Sequence, residues 1–157
     1  MDIHDDEILD LFKSLHDNNV HYILVGGFAG YLNGSKRITE DLDIWIKDTL
    51  ENRRCLQKAL KEIGLPDMPQ IEKIDFVPGW SGINLPSGFP LDIMTDLSGF
   101  PKVRFEECYK LANEAVIGEI KIKFLHINQL IEAKKASGRP KDLLDVEELE
   151  MIRSNKK

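Results

Sequence analysis

Apolar and polar positions recur along this chain with two periods, and the change from one to the other marks out the elements. Ile8, Leu9, Phe12 and Leu15 recur at helical spacing between an acidic start and Asp17-Asn18-Asn19. That spacing predicts an amphipathic first helix covering one face of a sheet. Tyr22-Ile23-Leu24-Val25 is a continuous apolar run, as a strand buried on both faces requires. Gly26-Gly27 ends it abruptly, and a short helix is expected from there to Asn33-Gly34, a helix C-terminal signal. From Asp41 to Ile46 the period is two, with Leu42, Ile44 and Ile46 on one face and Asp41, Asp43 and Trp45 on the other.

Asp48 or Thr49 can cap a third helix whose inner face is Leu50, Leu56, Ala59, Leu60 and Ile63, ended by Gly64 and Pro66. Leu65 to Pro90 is broken by Pro66, Pro69, Pro78-Gly79, Gly82, Pro86 and Gly88. Within it Ile71 to Val77 has the makings of a strand. A long irregular stretch in a compact domain is the place to expect a surface for an acceptor substrate, with Trp80 either a contact there or ordinary packing. Leu91-Asp92-Ile93-Met94 is a further short strand. Val116 to Phe124 reads as a hairpin with a Gly118-led two-residue turn, Lys121 and Lys123 facing water. Helices follow at Asn128 to Ala136 and Lys141 to Ile152, separated by Gly138-Arg139-Pro140. The expected fold is α/β (α+β): a small mixed sheet flanked by helices and closed by two C-terminal ones. It forms one domain over 1–153, with a polar tail at 154–157.

Composition narrows the setting. At 157 residues, 42% hydrophobic and 31% charged, the chain has enough apolar surface for one real core and is not of the disordered class. The formal charge of −6 argues against broad adhesion to nucleic acid, while leaving room for a local basic patch. No apolar run is long enough to span a bilayer and the N-terminus is acidic where a signal peptide is basic, so a cytoplasmic setting without membrane contact is the expectation. Cys55 and Cys108 are too few and too far apart for a disulfide framework, and no Cys or His spacing points to zinc.

The chemistry concentrates at the glycine pair and the aspartates. Gly26 and Gly27 lack Cβ, so they can take positive φ and let a ligand approach the backbone at a helix start that suits phosphate. Asp is depleted in strands, and Asp41 and Asp43, with Cα atoms about 6.6 Å apart, repel one another unless both face water or share a divalent cation. Asp92 interrupts its strand in the same manner. Asp75, in Ile74-Asp75-Phe76-Val77, has a similar pattern and competes with it, and the more uniformly strand-like flanks favour Asp92. Arg37 sits on the loop before the aspartate strand, where it is either a phosphate contact or a solvated charge. Lys134 and Lys135 read as a solvated helix face and Asp142 as a first-turn acid favoured by the helix dipole, if spacing alone is considered.

Gly26-Gly27, the following segment with Arg37 and Thr39, and then Asp41-Leu42-Asp43 together resemble the nucleotidyltransferase superfamily. The likeness is closest to small bacterial proteins related to abortive-infection toxins, and more remote to kanamycin and lincosamide nucleotidyltransferases and DNA polymerase β. Leu130 to Val146 resembles the same group in its Lys, Arg and Lys/Arg-Asp arrangement. Lys134 and Asp142 match the family lysine and aspartate, while Arg139, Lys141 and Asp145 match less defined positions. The resemblance covers about two-fifths of the chain in three separated pieces.

This resemblance implies two Mg²⁺ or Mn²⁺ ions held by Asp41, Asp43 and a third carboxylate, Asp92, which also takes the proton of an attacking hydroxyl. It further implies an NTP whose triphosphate rests on Gly26, Gly27 and Lys134, with Arg37 and Thr39 nearby and Asp142 orienting Lys134 or a neighbouring base. The reaction implied moves an NMP to an acceptor hydroxyl on RNA, protein or a small molecule such as an aminoglycoside. Two alternatives stand beside it: a catalytically silent nucleotide-binding or regulatory domain, and the toxin of a toxin-antitoxin pair with an antitoxin protein as partner. A Ser-His-Asp set and a Gly-x-x-x-x-Gly-Lys-Ser/Thr loop are absent from the sequence.

Overall fold

In the computed structural model, which describes residues 5–37, 39–77 and 81–155, the apolar runs become one mixed six-stranded sheet with six helices around it. In chain order these are α1 (Asp6–Asp17), β1 (Tyr22–Val25), α2 (Gly26–Leu32), β2 (Leu42–Ile46), α3 (Leu50–Glu62), β3 (Gly82–Asn84), β4 (Pro90–Met94), α4 (Phe105–Leu111), β5 (Asn113–Ile117), β6 (Ile120–Phe124), α5 (Ile127–Ser137) and α6 (Pro140–Asn155). The strand order is β3-β4-β2-β1-β6-β5. β2 runs antiparallel to β1 and parallel to β4, and β1 runs parallel to β6. β3 and β5 pair antiparallel at the two edges. This is the mixed α/β arrangement expected. No helix among the described residues is long and apolar enough to cross a membrane.

The two faces of β2 explain the layers. Leu42, Ile44 and Ile46 are wholly buried, and burial of each such side chain is worth about 1.5–3 kcal/mol. On the opposite face Trp45 is also fully buried, because Phe100 and Phe105 meet it edge-on with ring centroids 6.2 and 5.4 Å away. That face is therefore covered at the Trp45 end and open at the Asp43 end. α1 turns Ile8, Leu11, Phe12 and Leu15 inward and lies against α3, stitched by Ser14 Oγ donating to the Ala59 carbonyl at 2.7 Å. α5 packs on α2 and α6.

Thr49 is the cap of α3, its hydroxyl accepting from the Asn52 N–H at 3.1 Å. Leu50, expected on the inner face, is instead half exposed. It is the first residue of the helix, and two polar side chains take the buried places after it. Asn52 exchanges hydrogen bonds with the backbone of His21 at 2.8 and 3.0 Å and donates to the Lys47 carbonyl at 2.8 Å. Arg53 pairs with Asp48 at 2.7 Å and donates to the carbonyls of Ile71 and Ile74.

That arginine also accounts for a second departure. Ile71 to Val77 is not a strand: a 3-10 turn spans Pro69–Glu72 and irregular backbone follows, its carbonyls satisfied by a guanidinium instead of a neighbouring strand. The short strand β3 follows in the Gly-rich stretch where none was expected. The hairpin turn is at Gly118-Glu119, both at positive φ, as a tight two-residue turn needs. Lys121 is exposed, but Lys123 does not face open water: its Nζ lies 4.4 Å from the Tyr109 ring centroid and donates to the Tyr109 carbonyl. α4 lies in a stretch for which the pattern had predicted no element, and α6 continues through Asn155, two residues into the expected tail. Trp80 and the Pro78-Gly79 break lie outside the described residues.

Candidate active site

β2 and β4 carry the acids. In the parallel register Asp43 stands directly opposite Asp92, and in the antiparallel register Asp43 stands opposite Val25 of β1. Residues directly opposite share a face, so Val25, Asp43 and Asp92 form one row across three strands. Gly82 of β3 extends it at the edge. Asp41 precedes β2 by one residue, on the face of Asp43, and is exposed. Asp75 lies exposed in the irregular segment, outside both the sheet and the cavity that the other three line.

That cavity has a volume of about 900 Å³. One wall is the row of acids; another is the glycine turn. Gly26 takes φ +66°, and a Cβ there would come 2.0 Å from Asp43 Oδ2. Only glycine fits this position, for conformation and for space. Gly27 is held close for a different reason: a Cβ would lie 2.4 Å from Thr39 Oγ1, whose hydroxyl donates to the Asp41 carbonyl at 2.9 Å. Thr39 thus presses the loop that leads into β2 onto the glycine turn.

α5, α6 and the junction between them add to the lining three cations, Lys134, Arg139 and Lys141, and two further acids, Asp142 and Asp145. Lys134, on α5, is largely buried and is not part of a solvated face; it donates to Asp145 Oδ2 at 2.9 Å and lies 4.0 Å from Asp142 Oδ1. Lys135, its neighbour, does point outward, to Glu150. Asp142 is buried in the first turn of α6, where it accepts from both the backbone and side chain of Arg139, at 3.3 and 2.7 Å. It does cap the helix, as its position suggests, and it also fixes a guanidinium at the cavity. Arg37 reaches from its loop to Asp145. The residue that sequence reasoning left without a role is therefore Asp145, which is the close partner of Lys134. The available signal was a helical stripe, Asp142, Asp145, Glu148 and Ile152, on one side of α6.

Charge is unevenly distributed over the site. Burial, with the like charges of Asp41 and Asp92, raises the Asp43 pKa from 3.8 to about 8, although Lys134 and Lys141 pull the other way. Asp142 and Asp145 behave oppositely. Burial pushes them up, but hydrogen bonds from Arg139 and Ser137 to Asp142, and from Lys134 and Arg37 to Asp145, outweigh it and hold both below the usual carboxylate range.

Among the described residues no three Asp, Glu, His or Cys side chains converge as a ready ligand set. What is preformed is the Asp43–Asp92 pair with Asp41 beside it: oxygen donors only, with a mutual repulsion that a hard cation such as Mg²⁺ or Mn²⁺ would relieve.

No protein-family model matches the sequence, and no curated protein sequence does. Solved structures share its fold. One is an antigenic nucleotidyltransferase-like protein from Paracoccidioides brasiliensis, with 20% identity, 91% of this chain and 72% of that chain covered, and a TM-score of 0.53. Another is ANT(2″)-Ia in complex with adenylyl-2″-tobramycin, with 15% identity, 94% and 93% covered, and a TM-score of 0.55. The chain has the fold of these nucleotidyltransferases.

Proposed function

We propose that this chain, folded as nucleotidyltransferases are, transfers a nucleoside monophosphate from an NTP to an acceptor hydroxyl and releases pyrophosphate. The observation that carries the reading is the in-register pair Asp43–Asp92 lining the same cavity as Lys134, Arg139 and Lys141. A phosphate chain laid there meets both cations and acids, the two charges that in-line phosphoryl transfer requires.

In this reading Asp41, Asp43 and Asp92 hold the divalent ions, and Asp92 accepts the proton of the acceptor hydroxyl. Bound Mg²⁺ or Mn²⁺ would supply charge neutralisation at the phosphates and a lowered pKa for the attacking hydroxyl. The Gly26-Gly27 backbone gives the triphosphate close approach, with Thr39 at its edge. Lys134 and Arg37 balance its charge, and Asp142 keeps Arg139 in place. That ANT(2″)-Ia is solved with an adenylylated small molecule supports a hydroxyl acceptor.

The test is incubation with each α-labelled NTP and Mg²⁺ or Mn²⁺, together with pooled tRNA, cell lysate or aminoglycosides, and with the Asp41→Asn/Asp43→Asn variant as control. Label transferred by the wild type and lost in the variant is the expected result and identifies the acceptor. Tight NTP binding without transfer in any pool would favour a silent nucleotide-binding domain, and no binding of NTP or metal would overturn the reading.

A further inference from the structure

Two cations from separate elements converge on one oxygen in this cavity. Arg37 Nη1, from the loop between α2 and β2, and Lys134 Nζ, from α5, both donate to Oδ2 of Asp145 on α6, the lysine at 2.9 Å. The carboxylate is nearly buried, with a side-chain exposure of 12%; that of Lys134 is 14% and that of Arg37 49%. All three line the cavity with the glycine turn. A guanidinium and an ammonium meeting on a single anionic oxygen is the arrangement by which proteins hold a phosphate oxygen. Here the oxygen belongs to the protein.

The loop carrying Arg37 is anchored independently. Ser35 Oγ donates to Glu148 Oε1 at 2.5 Å and the Lys36 N–H donates to Glu148 Oε2 at 3.3 Å, one turn further along α6. Gly34 rests on Ile152 one turn beyond that. Release of Arg37 from Asp145 thus leaves the loop attached. Lys134 has a second carboxylate in reach, Asp142 at 4.0 Å, which is itself held by Arg139. Lys134 therefore has a second partner, whereas the Arg37 guanidinium is gathered by Asp145 while its loop is anchored elsewhere.

We propose that Asp145 is a positioning residue, a tethered anion that keeps Arg37 and Lys134 gathered at the place of a phosphate oxygen and gives them up when a polyphosphate chain enters. The inference rests on the nucleotide-site reading above and adds to it a competition between protein and ligand for the same two cations. The carboxylate shields the cations until a polyphosphate arrives and opposes the incoming phosphate by its charge. Removing that charge while keeping the shape must strengthen phosphate binding. A role in stability alone would have the opposite sign.

The experiment is titration of the full chain with inorganic tripolyphosphate in EDTA, by calorimetry, at several salt concentrations, for wild type, Asp145→Asn, Arg37→Gln and the double variant. Asp145→Asn is expected to bind on the order of tenfold more tightly, the scale of removing one unit charge beside a polyanion at a partly exposed site, and with a steeper salt dependence. Arg37→Gln, at a half-exposed position, is expected to bind several-fold more weakly and to remove part of the gain in the double variant. Equal or weaker binding by Asp145→Asn, with the wild type binding normally, would overturn the proposal alone. Should Asp145→Asn fail to fold, an Arg37→Gln protein that binds as the wild type does would overturn it. Absence of binding by every protein would overturn it together with the phosphate-site reading.

Discussion

Changing Asp43 to Asn makes a measurable statement about the charge at the site in the absence of metal. In the folded, metal-free chain the carboxyl holds its proton up to about pH 8, against an ordinary value of 3.8. Between those values the folded state carries a proton that the unfolded state has lost. Stability from this group is therefore complete below about pH 4, falls as pH rises, and levels off above about pH 8, with a slope of about 1.4 kcal/mol per pH unit for one proton. For a chain of this size 1 kcal/mol moves Tm by about 3 °C, so this carboxyl alone lowers Tm by at most about 4 °C per unit, and by about 1–2 °C per unit across pH 5–8 once solvent screening in the open cavity is counted. Asp142 and Asp145 act at lower pH: their pKa values are depressed, so their contribution is present above the ordinary carboxylate range and is lost only below it. The assay is thermal unfolding in EDTA from pH 5 to 9. Asp43→Asn is expected to lose most of the downward slope and to be more stable than the wild type at pH 8 by about 1–2 kcal/mol, a fraction of the full shift because the cavity opens to solvent. With Mn²⁺ the order reverses, since the wild type gains stability that rises with pH and the variant does not. Parallel Tm-against-pH lines for the two proteins in EDTA would refute the reasoning.

Further outcomes follow from other contacts. Lys134→Ala is expected to weaken NTP binding about 10- to 100-fold, the scale of one lost charge-assisted hydrogen bond, with unchanged circular dichroism; an unchanged affinity would return the lysine to a purely structural role. Gly26→Ala places a methyl group on Asp43 and forces a side chain into positive φ, so a loss of about 1–3 kcal/mol in chemical denaturation is expected together with lost Mn²⁺ binding. Asn52→Ala leaves the His21 and Lys47 backbone groups unsatisfied and is expected to lower stability by about 2–3 kcal/mol while the folded protein binds NTP as the wild type does. Asp75→Asn is expected to leave Mn²⁺ affinity unchanged, where Asp92→Asn abolishes it.

The central part of the fold was legible because it is written in local periods. β1 matches its apolar run residue for residue, and β2 and β4 do so within one residue, since continuous apolar runs and strict alternation each have one good structural solution. That these two strands pair and bring Asp41, Asp43 and Asp92 together was implied by the family resemblance, not by the periods. Arg53 and Asn52 were illegible for the converse reason. Their partners are backbone groups of His21, Lys47, Ile71 and Ile74, and nothing in the spacing of a helix tells which of its polar residues will be drawn inside to satisfy carbonyls elsewhere. The same holds for Lys123, placed under Tyr109 by tertiary contact, and for Lys134. Alone it matches a solvated helix face; Arg37 and Asp145, from two other elements, make it part of a buried ion network.

The pairing of β2 with β4 ties folding to chemistry. The two strands are parallel and separated in the chain by α3, the whole irregular stretch and β3, so their contact is non-local and must close a long loop before its register is set. Side chains alternate with period two, so a slip of a single residue would turn Asp92 into the apolar layer and set Leu91 or Ile93 against Asp43. A misaligned sheet of this chain would be both poorly packed and chemically mute. On the metal-binding reading proposed above, a ligand recognising both aspartates would bind only the correct alignment and draw the population toward it by mass action, so a divalent ion in the refolding medium would act as a proofreader of strand register.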